Sequence, residues 1–125
     1  MSKVAKVYFL IDAIFCLIIG AFLLIIPGRT LSLVGWVPFD PLMTRVVGAA
    51  LLALGWGALR AWRASQYQKI AILVEVEFIF AALAGIGLLR HLIISYYPPI
   101  GWITFALLAV AAVAWGIIWL RRPRD

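Results

Sequence analysis

Asp12, Cys16, Arg60, Glu75, Glu77 and His91 are the side chains whose types suit chemistry, and all lie in or beside long apolar runs. A carboxylate within hydrocarbon either handles protons or cations or pairs with a cation to fix helix register. Two of them interrupt the stretch "KIAILVEVEFIFAALAGIGLLR", from Lys69 to Arg90. Helical residues two apart point about 200° away from each other, so Glu75 and Glu77 cannot face one partner. Glu77 shares its face with Ala81, Ala84, Gly85 and Leu88, small residues of the kind that let helices approach closely. Glu75 shares its face with the bulkier Phe78, Ile79, Ala82 and Ile86. Glu77 is therefore expected inside the protein, and Glu75 toward headgroups or a neighbouring subunit.

Asp12 lies on a face with Cys16, Ile19 and Gly20, while Ala49, Ala53 and Gly57 lead in steps of four toward Arg60. The expectation is an intramembrane charge cluster of Asp12, Arg60 and Glu77, with Lys6 or Lys69 reaching in from the interface. At about 1.5 Å per residue, Asp12 lies roughly 8 Å deep and Glu77 roughly 11 Å. Both are nearer the surface than the midplane, which favours a structural ion pair over a proton-coupled site. His91, beside Arg90, suits the C-terminal end of a helix dipole, and like Glu75 it is a candidate partner-facing residue. Asp40 and Arg45 are expected to pair with each other.

One cysteine excludes an internal disulfide and a dithiol site. The sequence holds no Ser-His-Asp set, phosphate-binding glycine loop or metal-ligand spacing, so no catalytic residue, metal or cofactor is expected. The expectation is a protein that is not an enzyme.

The elements that must position these residues follow from composition. The 125 residues are 66% hydrophobic and 13% charged, with mean hydropathy +1.12. A soluble domain of this size would lack polar surface. Four apolar runs long enough to cross a bilayer predict helices at about 7–26, 42–62, 70–89 and 101–120. The predicted fold is all-α: a single transmembrane domain, 1–125, whose four helices form a bundle of two in-out-in hairpins. The first run follows Lys3 and Lys6 as a signal peptide would, but it is long, contains Asp12 and lacks a cleavage motif, so it reads as a retained helix. Pro27-Gly28 ends it, and "PGRTLSLVGWVPFDP" reads as an apolar interfacial loop. "RHLIISYYPP" either extends the third helix or lies along the surface.

Net charge is +6, and eight of the eleven basic residues fall at the N-terminus, after the second run or at the C-terminus. Both termini are therefore expected in the cytoplasm, in a bacterial inner membrane. Those cations meet lipid headgroups, which makes nucleic acid an improbable partner. A repeat also shows: Asp12-x-x-Phe15 with Gly20 matches Glu77-x-x-Phe80 with Gly85. Trp56-Gly57 with Arg63 likewise matches Trp115-Gly116 with Arg122.

The stretch "GAFLLIIPGRTLSLVGWVPFDPLMTRVVGAALLALGWGALRAW" resembles the small four-helix bacterial proteins grouped as DoxX-like or BphX-like. The likeness rests on the Pro-Gly end of the first helix and on a "D-P-L-x-x-R-x-x-G" start to the second. Here those positions are Asp40, Pro41, Leu42, Arg45 and Gly48. The resemblance covers about a third of the chain. It implies a four-helix bundle and, through a member tied to a terminal quinol oxidase, an accessory role, with no catalytic residue to carry over. The chain is also similar to small multidrug-resistance transporters in its helix-one carboxylate, and departs from them in its long first loop. The leading expectation is an accessory subunit in the lipid bilayer, packed against other membrane subunits or itself. The alternative is a small cation-coupled transporter using Asp12 and Glu77.

Overall fold

The computed structural model describes residues 3–36, 40–94 and 99–122. Among them are five α-helices: α1 Lys3–Ile25, α2 Pro27–Leu33, α3 Pro41–Arg63, α4 Ala71–Ile94 and α5 Pro99–Leu120. A 3₁₀ turn, Tyr67–Lys69, precedes α4. Four of the helices, α1, α3, α4 and α5, are long and apolar enough to cross a membrane. The chain divides into two compact units, Met1–Lys69 and Ile70–Asp125.

In the first unit α1 and α3 pack against each other. Gly20 of α1 meets Gly48 of α3, and Leu17 meets Gly55, so the two helices run antiparallel. The seam is nearly backbone on backbone. A Cβ built on Gly48 would fall 2.7 Å from the Leu24 nitrogen, and one on Gly20 would fall 2.8 Å from the Gly48 carbonyl oxygen. One on Gly55 would fall 2.9 Å from Leu17 Cγ. Helices in lipid gain no hydrophobic drive from association, so close van der Waals contact through small residues holds such a seam. The buried positions of α3 are Gly48, Gly55, Ala58 and Ala61. The Ala49–Ala53–Gly57 face expected from sequence is not the packed one: Ala49 and Ala53 are exposed. Small residues occupy adjacent faces of this helix, and the packed one places Gly48 and Gly55 where the α1 backbone passes.

The stretch after α1 also differs from the expected interfacial loop. Residues 27–33 are helical, not a loop. Proline cannot donate to the Leu23 carbonyl, which breaks α1, yet its fixed φ suits the first turn of a new helix. The Thr30 hydroxyl donates to the Ile26 carbonyl at 2.8 Å and so ties α2 to the residue at the break. At its far end Trp36 N–H donates to the Leu31 carbonyl at 2.8 Å and Gly35 N–H to the Ser32 carbonyl at 3.2 Å. With Gly35 at φ +80°, this is a Schellman ending. Leu33 is 87% exposed, and Val34 is exposed beside it. Phe39, expected to share that interfacial role, lies outside the described residues.

In the second unit α4 and α5 also run antiparallel: Phe78 contacts Gly116 and Gly85 faces Leu108. The fit is looser. A Cβ on Gly85 would meet Leu108 Cβ at an ordinary 3.7 Å, and one on Gly87 would meet nothing within 4 Å. Phe78 stacks on Trp119 with centroids 6.2 Å apart. The Arg122 guanidinium sits 5.4 Å from the same indole ring and donates to the Trp119 carbonyl. Helix α4 continues to Ile94, past the expected end near Leu89.

The repeat has a structural counterpart in one helix of each unit. Ala5, Phe9, Cys16 and Gly20 are buried, and so, in the same register, are Ile70 just ahead of α4 and Val74, Ala81 and Gly85 within it. It fails in the other pair: Trp56 is 59% exposed, whereas Trp115 is 1% exposed.

Candidate functional site

Four residues of the D-P-L-x-x-R-x-x-G stretch do connected work in the first hairpin. Asp40 Oδ1 accepts from the backbone N–H groups of Leu42 at 2.9 Å and Met43 at 3.3 Å. That satisfies two of the donors a helix start leaves unpaired, and Pro41 occupies the first helical position. One turn on, Arg45 Nη1 donates to the Leu24 carbonyl at 3.1 Å. Leu24 stands just before the Pro27 break, where helix carbonyls lose their partners. Gly48, three residues further, lets the α1 backbone pass at contact distance. Asp40 and Arg45 therefore serve separate backbone groups and not each other. The motif starts α3, seals the end of α1 and joins the two helices.

The intramembrane charges are distributed over both units. On α1, Asp12 is half-buried and Cys16 buried. The Cys16 thiol lies 3.7 Å from Asp12 Oδ1, one turn apart. Such a contact is a weak hydrogen bond in which sulfur donates. Oδ2 of Asp12 is a fully buried atom, as is Oε1 of Glu77. On α4, Glu77 is 3% exposed, within the buried stripe Val74, Glu77, Ala81 and Gly85. Glu75, two residues earlier, is exposed. The helical spacing thus sends the two carboxylates to different surroundings.

Arg60 is exposed in the last turn of α3, where a cation complements the helix dipole. It belongs to the same unit as Asp12, while Glu77 belongs to the other. His91 occupies the last turn of α4 and is exposed. Among the described residues, no three His, Cys, Asp or Glu side chains converge as a metal would require. The hollows along α1 are shallow and apolar; the larger is lined by Leu17, Ile18, Ala21, Phe22, Ile25 and Ile26.

Tyr67, expected among the aromatics near one membrane interface, is buried in the 3₁₀ turn between the long helices. A lone aromatic within the polar "RASQYQK" was the available signal. Trp115, expected likewise near an interface, is the largest fully buried side chain.

Four spanning-length apolar helices define a multi-pass membrane protein. Comparison with known proteins adds no family: no family model, curated protein or solved structure matches the chain. The likeness to DoxX-like proteins thus rests on the residues of α1 to α3 alone.

Proposed function

We propose that this protein is a non-catalytic accessory subunit of a larger membrane complex, respiratory or photosynthetic, in a bacterial inner membrane. Its two hairpins would assemble as a four-helix bundle with both termini in the cytoplasm, as the distribution of basic residues favours. The observation that carries the reading is α5. Its apolar residues run all the way round, yet only Gly101 and Trp115 are buried within this chain. A helix apolar on every side is a core helix or a span whose remaining faces meet lipid or protein. Ile103, Leu107, Val110, Val113 and Ile117 are exposed along it and available to a neighbouring subunit.

Purification in mild detergent at native expression, followed by mass spectrometry, tests this. Stoichiometric membrane-protein partners are expected. A lone, monodisperse dimer of this chain would sink the accessory reading.

The burial of Glu77 favours a second reading, a small proton- or cation-coupled transporter using Asp12 and Glu77. Flux in liposomes that disappears in Asp12→Asn and Glu77→Gln, with folding intact, would establish it over the first.

A further inference from the structure

The antiparallel pairing of α1 and α3 gathers charge at one end of the first hairpin. Cys16 and Leu17 pack beside Gly55, and Leu24 beside Gly48. Following that register, the start of α1 lies at the level of the end of α3 and the turn beyond it. Lys3 and Lys6 therefore share an end with Arg60, Arg63 and Lys69. All but the half-buried Lys6 are exposed, and among the described residues none of the five makes an ion pair. The nearest acid of this unit, Asp12, is half-buried on α1 with the Cys16 thiol on its carboxylate. The opposite end is different. It holds Asp40, Arg29 and Arg45, and Arg45 is engaged by the Leu24 carbonyl.

We propose that this end of the first hairpin is a binding surface for anionic phospholipid headgroups, with Lys3, Lys6, Arg60, Arg63 and Lys69 as the phosphate contacts. Position selects the partner. These cations terminate two spanning-length helices, where the headgroup layer begins. Cations left without protein counterions there draw anionic lipid, by roughly five-fold in partitioning for each one engaged. Tyr67, in the turn that ends at exposed Lys69, is buried. The surface is independent of whether the protein has subunit partners.

The full chain, reconstituted in phosphatidylcholine vesicles with a trace of spin-labelled phosphatidylglycerol or spin-labelled phosphatidylcholine, provides the test. The motionally restricted fraction reports each lipid's association. Phosphatidylglycerol should be favoured several-fold at low salt and should approach parity near 1 M salt, where the screening length shrinks to about 3 Å. The double change Arg63→Gln/Lys69→Gln should remove most of that preference, and Arg29→Gln at the other end should leave it intact. Lys3→Gln/Lys6→Gln reads the same surface if the first pair loses its helicity. Equal association of the two lipids at low salt would overturn the proposal. So would a preference that survives high salt or removal of these cations.

Discussion

Gly20 and Gly48 sit in mutual backbone contact: a Cβ on either would lie 2.8 Å from the other's carbonyl oxygen. The same offset along the second unit brings Gly85 only to within 3.7 Å of the Leu108 side chain, counted from a built Cβ. Two glycines at equivalent places in a repeat thus do different work. The first is required by its neighbour, and the second is tolerated by it.

Gly48→Ala should destabilise the first hairpin by about 1–3 kcal/mol, the usual cost of overpacking a closed contact. Gly20→Ala should behave alike. Gly85→Ala should be near neutral. At Gly87, where nothing lies within 4 Å, alanine should be neutral or stabilising by up to about 1 kcal/mol. Denaturant unfolding in detergent micelles, monitored by helicity, ranks the four. Equal losses at Gly48 and Gly87 would contradict the seam.

Arg45→Ala removes the donor to the Leu24 carbonyl next to the Pro27 break. The expected loss is about 1 kcal/mol, at the lower end of hydrogen bonds involving a charged group because Arg45 is exposed. Amide exchange should quicken through residues 22–30 while α4 and α5 keep their protection. Lysine at this position should restore less than half, because its shorter-reaching ammonium lacks the planar fork.

Asp40→Ala should cost about 1 kcal/mol and Asp40→Asn much less, since either oxygen-bearing side chain accepts from the first-turn N–H groups. Had Asp40 acted by pairing with Arg45, the neutral asparagine would be as harmful as alanine. Comparing the two substitutions in one unfolding series separates the roles.

Glu75→Gln and Glu77→Gln should part company. Glu77 is buried, so its replacement should change stability or, under the transporter reading, flux. Glu75 is exposed, and its replacement should leave unfolding unchanged while weakening copurification of a partner. A fluorescent or enzymatic reporter active only in the cytoplasm, fused after Asp125, should be active. A silent fusion would reverse the orientation drawn from the basic residues.

The apolar runs alone located the four long helices to within a few residues, because an α-helix pairs all its backbone groups within one segment, as hydrocarbon demands, and the length of an apolar run shows whether it can cross. The separation of Glu75 from Glu77 was equally legible, since helical geometry fixes it within one element. Which face of α3 packs was not. Ala49, Ala53 and Gly57 are small residues like Gly48, Gly55 and Ala58, and a stripe of small residues does not name its partner. The choice depends on where the α1 backbone passes, which α3's own sequence does not contain. The fates of Asp40 and Arg45 were hidden for a related reason. Opposite charges five residues apart read as a pair, but Arg45 goes to the Leu24 carbonyl beside the Pro27 break and Asp40 to the bare start of α3. Asp40 settles this locally, at the start of its own helix; tertiary structure decided the packed face of α3 and the partner of Arg45, because both depend on where the α1 backbone passes.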